Sequence, residues 1–403
     1  MRKFNNIEGL IKSNIKAIKH FDIIKVRNSA GRYLAEDIIS SIDIPPSNNS
    51  AVDGYLFNYK NFNTNIQKKF ISDDEINAGD KIKKTYKLKN AIKVSTGAVI
   101  PKFFNMVIMQ EKINKIDQHI ICKGVIPSRW LNIRKRGEDI RKNNKVFSSG
   151  HLLRPQDIGM LASLGLTKVK VVRKVKVGLL SNGNELVDPT KKKLSHHIYD
   201  SNRYSLFAFL KKNNLKVNDQ GIVNDNYKKI KNKIVLLKEK CDVIFISGGA
   251  SAGNKDFIID IIKEIGVLKF WRVSVKPGRP FGFALLNKEI PILILPGNPV
   301  ACYIIFFLFG KIILNLLQGA KGFKSRYFLV KSNFVMKKKL GREEFLRGKT
   351  FIKNNQVYVN KYKKQGAGIL NSLIWSNGLI RLRSNVSLVK KDSNLEFYPF
   401  SDN

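Results

Sequence analysis

The stretch LPGNPVAC, Leu295 to Cys302, closes the apolar run PILIL and decides how this chain is read. PILIL has the composition of a buried strand, Gly297 permits a tight turn, and Asn298 and Pro299 suit an N-cap and a first helical residue. Such a helix start leaves backbone N–H groups free at the end of the strand, where orphan donors and the positive end of the dipole favour an anion. Two other stretches share the setting. ISGGASAGNKDF (246–257) supplies a glycine-rich loop with Gly248, Gly249, Ser251 and Gly253, and SVKPGRPFGFA (274–284) supplies two cations, Lys276 and Arg279, beside Pro280. The three together read as a phosphate or oxyanion site.

Outward from that stretch, strand-like and helix-like runs alternate from Val175: VKVGLLSN, SLFAFLKKNN, KVNDQGIV, YKKIKNKIVLLKEK, DVIFISGG, DFIIDIIKEIG and PILILPG. This alternation predicts a doubly wound, mostly parallel α/β domain over residues 175–322, with ligands beyond the carboxyl ends of its strands. Upstream, residues 1–20 read as an amphipathic helix and AGRYLAEDI (30–38) as a second, short one. Pro45 and Pro46 then stop regular structure. Short strands predict a small β-rich unit over 46–135, and helix resumes at Pro155 and Gln156. Pairing of that helix with the amino-terminal one makes the β unit an insertion in a discontinuous helical domain, 1–45 plus 136–174. After Gly322, YFLVKS, GREEFLRG, QVYVNKY and NGLIRLRS predict a separate C-terminal β domain, barrel-like, over 323–403.

With 403 residues, 43% of them hydrophobic and 26% charged, the chain has the composition of a globular protein with several cores. A net charge of +42 attracts polyanions in principle, but the excess Lys is spread through the whole chain with no confined basic module. We therefore expect no nucleic-acid partner. Cys122, Cys241 and Cys302 are far apart and lack ligand spacing, which argues for a reducing, cytoplasmic setting and no zinc site. VACYIIFFLFG is interrupted by Lys311 short of the roughly 20 apolar residues that span a bilayer, so a buried helix and no membrane are expected.

Only 31 residues are acidic, yet Glu185, Asp200, Asp225 and Asp256 all fall in loops after predicted strands or before predicted helices of the α/β region. Hard oxygen ligands beside a phosphate-binding turn suit Mg²⁺, which takes one or two carboxylates and keeps several waters. Helix capping explains Asp200 and Asp256 taken singly. A solvated hairpin tip likewise accounts for KPGRP. Asp53 in SAVDGY and Thr96 in STGAVIP offer a carboxylate and a hydroxyl to a polar ligand, and turn chemistry explains them equally well. No histidine has the setting of a nucleophilic triad.

Taken in order, AGRYLAEDI, PPSNNSAVDGY, STGAVIP, GEDI, PQDIGMLASLG, GLLSNGNELV, IYDSNRYSL, SGGASAGNKDF, VKPGRPFGFA, LPGNPVAC, GREEFLRG and QGAGILNSLIWSNGLI resemble the molybdopterin molybdenumtransferases, the MoeA proteins and the equivalent domain of gephyrin. The resemblance implies four domains, a homodimer with its cleft between protomers, and insertion of Mo from molybdate into adenylylated molybdopterin with release of AMP. It implies a divalent metal near Glu185, Asp225 and Asp256, with Asp200 in the same set, and molybdate held by Lys276 and Arg279. It brings Asp53, Thr96, Arg134 and Asp139 to the cleft from the other side and places Arg342 of the last domain near molybdate. A molybdopterin adenylyltransferase and molybdoenzyme maturation proteins are the partners it suggests. Asn48, Asn182 and Asn184 stand where the family carries a carboxylate or hydroxyl, Ala250 and Ala252 where it carries larger aliphatics, and Ala301 and Ala367 where it carries Ser. Three alternatives are an adenylyltransferase, a non-catalytic pterin-binding scaffold and a basic nucleic-acid binder.

Overall fold

The computed structural model describes residues 4–61, 69–83, 85–117, 119–124, 126, 128–248, 257–321, 323 and 325–401. Its centre is a six-stranded sheet in the order Lys216–Val223, Lys176–Asn182, Val243–Ser247, Ile290–Leu295, Gly282–Leu286, Gly266–Trp271. The first four strands pair in parallel, whereas Gly282–Leu286 runs antiparallel to both of its neighbours. The sheet is thus mostly parallel. The antiparallel end arises because Gly282–Leu286 and Ile290–Leu295 form a hairpin, with Gly266–Trp271 paired on its outer side.

Strands covered on both faces read as continuous apolar runs, and Val243–Ser247 and Gly282–Leu286 are buried at every position. On one face Ile230, Ile234, Leu237, Ile258, Ile261 and Ile262 pack from the helices Tyr227–Lys240 and Phe257–Ile265. On the other, Ser201–Lys212 and a continuous helix from Pro299 to Leu317 supply Leu206, Leu210, Val300, Ile304, Phe306 and Phe309. That second helix runs past Lys311 through a π-helical turn, Phe306–Gly310, and at 19 residues is long and apolar enough to cross a bilayer. Yet 78% of its apolar window is buried against the sheet, so its hydrophobicity is spent on the core.

The amino-terminal region departs from the helical domain expected. The first helix is Asn5–Asn14 only, and its buried Ile7 and Ile11 join the core of the α/β domain rather than packing on Pro155–Ser163. No helix forms over residues 30–38. The Tyr33 and Leu34 backbones pair with Leu152 and Val171, so their side chains are buried by strand pairing. Segments on either side of the β unit do meet, through Phe21–Lys25 with Lys168–Val172 and Ile38–Ile39 with Lys145–Phe147. Between them lies a second six-stranded sheet formed by strands between Gly54 and Cys122.

At the carboxyl end, Glu343–Lys353, Gln356–Lys361, Phe328–Ser332, Asn394–Pro399 and Gly378–Leu382 close on themselves, the last strand pairing back to the first, to form a barrel without free edges. One further strand is added from outside. Val275–Lys276, the start of KPGRP, pairs in parallel with Glu343–Glu344, so this segment is stitched to the barrel and is not a free hairpin tip.

Candidate functional site

Three of the loops singled out in the sequence meet where the parallel strands end. Gly248 follows Val243–Ser247 with φ +87°, and a Cβ there would stand 2.1 Å from the carbonyl oxygen of Asn182. A Cβ on Gly297 would lie 3.8 Å from the Gly248 Cα, which places the turn after Ile290–Leu295 beside both. Over Gly183 folds the Glu185 carboxylate, whose oxygens would be 2.6 and 2.7 Å from any Cβ at that position. At Gly248, where the contact is with backbone, only glycine allows such close approach. Beneath them the Ser181 and Ser247 hydroxyls share a 2.8 Å hydrogen bond in the buried sheet.

Asparagines join neighbouring loops to this centre. The Asn182 side chain donates to the Val223 carbonyl at 3.1 Å, and the Asp225 amide donates to Asn184 Oδ1 at 2.9 Å. The half-buried Asp225 is thereby brought beside the loop that carries the exposed Glu185. Neutral amides do this without adding charge where two carboxylates already stand. Asn202 Nδ2 donates to the Gly297 carbonyl at 2.8 Å, fixing the turn before Asn298.

Asp200 has a different role from the one expected. It is 1% exposed, caps the helix Ser201–Lys212 by accepting from the Arg203 amide at 3.1 Å, and accepts from Arg203 Nε at 3.0 Å. Both oxygens are therefore engaged, and the capping alternative describes it. Arg203 also bridges to Asp219 at 2.6 Å and to Asp188, three residues after Glu185. Gly249, Ser251, Gly253 and Asp256, together with Ala250 and Ala252, lie outside the described residues.

The helix start at Pro299 is less open than the sequence suggests. Asn298 is extended at the N-cap, but its side chain makes no cap bond, and the Val300 amide donates at 2.9 Å to the Ala367 carbonyl of the barrel domain. One of the orphan donors is thus already taken. On the KPGRP segment the Arg279 and Val273 backbones are bonded and Pro280 is half-buried. Lys276 Nζ lies 3.4 Å from the buried Glu344 carboxylate, while the exposed Arg279 has no ion pair among the described residues.

Asp53, Thr96, Arg134 and Asp139 belong to a second group. Asp53 accepts from the Thr96 amide at 2.5 Å and from its hydroxyl at 2.7 Å, and these bonds hold its carboxyl below the usual carboxylate range. Arg134 is exposed on a short strand paired with Asn49, and Asn48 accepts from the Arg136 amide at 2.8 Å. The exposed Asp139 is tied through its backbone to Ile44. Among the described residues no hydrogen bond or ion pair joins these four to Glu185, Asp225, Lys276 or Arg279. Arg342 is exposed just before the barrel strand.

Sequence reasoning missed Arg347. It is fully buried, donates to Ser372 Oγ at 2.9 Å and to the Gly366 carbonyl at 3.1 Å, and has no carboxylate partner among the described residues. Burial draws its pKa down to about 10, as expected for a cation without a counter-ion. GREEFLRG contains it, but nothing in that spacing separates a buried arginine from a solvated one.

Three family profiles match in sequence: the "MoeA N-terminal region (domain I and II)" at residues 5–165, the "Probable molybdopterin binding domain" at 178–315 and the "MoeA C-terminal region (domain IV)" at 330–400. The molybdopterin molybdenumtransferase of Haemophilus influenzae is 32% identical over 382 residues, 94% of each chain. That of a Nostoc species is 29% identical over 89% of this chain and 84% of its own. The crystal structure of the molybdopterin biosynthesis MoeA protein from Pyrococcus horikoshii superposes with a TM-score of 0.84 at 29% identity, covering 99% of this chain and 100% of that one. With profiles from end to end, relatives matched over nearly their whole length and the same multidomain fold, this chain belongs to the MoeA family of molybdopterin molybdenumtransferases.

Proposed function

We propose that the chain is a transferase of molybdenum cofactor biosynthesis that inserts Mo from molybdate into adenylylated molybdopterin and releases AMP. The observation that carries this reading is the convergence of Gly183, Glu185, Gly248 and Gly297 at the carboxyl ends of three adjacent parallel strands. There, backbone N–H groups and a helix start accept a phosphorylated ligand.

The donor set suits Mg²⁺. Glu185 and Asp225 supply two hard carboxylates on loops joined through Asn184, enough for a cation that keeps most of its waters. Among the described residues no group of three His, Cys, Asp or Glu gathers; substrate phosphate, and Asp256 by the family resemblance alone, would complete the ligand set. When bound there, the cation neutralises charge on the phosphoanhydride oxygens. Lys276 and Arg279 hold the molybdate oxyanion, Lys276 exchanging part of its interaction with Glu344 for one with the substrate. Asp53 and Thr96, with Arg134 and Asp139, act from the partner subunit of a homodimer. That assignment is supported by the lack, among the described residues, of any hydrogen bond or ion pair from them to Glu185, Asp225, Lys276 or Arg279 within one chain.

Purified protein incubated with adenylylated molybdopterin, molybdate and Mg²⁺ should form Mo-loaded cofactor and AMP in equal amounts. AMP release without Mo insertion, or neither, rejects the reading. In the same assay Lys276→Ala should raise the molybdate concentration for half-maximal rate by about tenfold, the equivalent of one charge-assisted contact. An unchanged molybdate dependence assigns Lys276 to the domain junction alone.

A further inference from the structure

Asn202 has one amide arm committed and the other idle. Its Nδ2 donates to the Gly297 carbonyl at 2.8 Å, whereas its Oδ1 is shielded from water and has no hydrogen-bond partner among the described residues. The orientation of the amide is not interchangeable, because flipping it would set the carbonyl oxygen against that of Gly297. Nor is the side chain free to relax. It stands on the first turn of Ser201–Lys212, a turn pinned by the Asp200 cap and by the Arg203 guanidinium. A buried acceptor without a donor is costly, and folded proteins leave few of them. This one is attached to the turn that meets Gly248, beside the loop of Glu185.

We propose that Asn202 is a ligand-recognition residue whose Oδ1 accepts a hydrogen bond from the amino group of a bound nitrogen heterocycle, while its Nδ2 keeps the Gly297 turn in place for the phosphate. The inference rests on the reading of the Gly248–Gly297 loops as the phosphate site. An adenine and a 2-aminopteridine both present such an N–H donor, and both belong to the proposed substrate. The residue confers selectivity by a group the phosphate-binding loops cannot sense. A ligand with the phosphate but no amino donor leaves the acceptor unpaired, and the site discriminates against it.

The test is a binding cycle on the full chain with wild type and Asn202→Ala. The ligands are pyrophosphate, AMP, purine riboside 5′-monophosphate (AMP without its amino group), a pterin monophosphate and its 2-desamino analogue. Wild type should bind one amino-bearing ligand about tenfold more tightly than its desamino partner, and Asn202→Ala should lose that preference. The pair that shows the effect identifies the ring. Because alanine also removes the Nδ2 bond to the Gly297 carbonyl, pyrophosphate too should bind the variant more weakly, and the proposal is read from the ratio between amino-bearing and desamino ligands. Equal losses for every ligand make Asn202 an anchor of the turn only and overturn the proposal, as does a desamino preference that persists in the variant. Failure of wild type to bind pyrophosphate or either phosphorylated ligand overturns the phosphate-site reading itself. That result is distinct, since the Asn202 proposal fails by loss of discrimination and not by loss of binding.

Discussion

Gly248→Ala should abolish Mo insertion, with a loss of roughly 100-fold or more, while leaving the fold recognisable. The new Cβ would stand 2.1 Å from a backbone oxygen, that of Asn182, and no rotamer change can relieve a contact between backbone atoms. Either the Gly248 loop or the Asn182–Glu185 loop has to shift by an ångström or more, and misplacement on that scale costs catalysis about 100-fold. The φ of +87° adds strain of about 1–3 kcal/mol, small beside the stability of a buried six-stranded sheet. The melting transition should therefore move by only a few degrees while turnover collapses. Gly159→Ala is the control: it lies within the helix Pro155–Ser163, a Cβ there meets nothing within 4 Å, and alanine should be neutral or add about 0.5–1 kcal/mol. Near-normal turnover in Gly248→Ala would show that the close approach of the two loops has no part in catalysis.

The contrast between those glycines shows what the chain discloses before folding. A strand covered on both faces has to be a continuous apolar run, so DVIFIS and PILIL announced their place in the sheet, and the glycine turns after them announced loops at one edge. The same logic misled at AGRYLAEDI. Tyr33, Leu34 and Ile38 are buried as a helical period would have it, but by pairing with Leu152, Val171 and Phe147, partners more than 100 residues away. Local period cannot distinguish burial by a helix face from burial by distant strands. Long-range partnerships were equally silent. Nothing near Lys276 indicates that Glu344 lies opposite it, nothing near Val300 that its amide is met by Ala367, and nothing near Gly297 that Asn202 holds its carbonyl. Residue types and loop positions were legible, whereas the pairing that decides whether a carboxylate caps a helix or faces a ligand required the fold. Asp200 is the case in point.

Arg203→Met should cost about 3–5 kcal/mol, the largest stability effect expected of a single substitution in the α/β domain. Arg203 is 7% exposed and is shared by Asp200 at 3.0 Å, Asp219 at 2.6 Å and Asp188. Removing it leaves three carboxylates near one another with no cation, and a methionine fills the space without answering any of them. Lysine would be a poor replacement too, since one ammonium cannot match a planar fork that reaches three partners in different directions. The pH dependence separates this mechanism from simple loss of packing. In the wild type, hydrogen bonds from Thr190 and then Arg203 hold the Asp188 carboxyl below the usual range. A depressed group of this kind contributes stability above its unfolded pKa of about 4, and that contribution is lost as the pH falls through the folded value. The variant keeps the Thr190 bonds but loses Arg203, so its Asp188 carboxyl is depressed by less, and the stability that Arg203 adds through it is the part lost in acid. The difference in melting temperature between wild type and Arg203→Met should therefore hold steady from about pH 8 to about pH 5 and shrink as the pH falls below about 4. A difference that stays constant below about pH 4 as well would mean that Arg203 acts by filling space. Because Asp188 follows Glu185 by three residues, loss of the guanidinium also leaves the neighbouring loop more negative, so the variant, at temperatures where it remains folded, should need less Mg²⁺ for half-maximal Mo insertion than the wild type does.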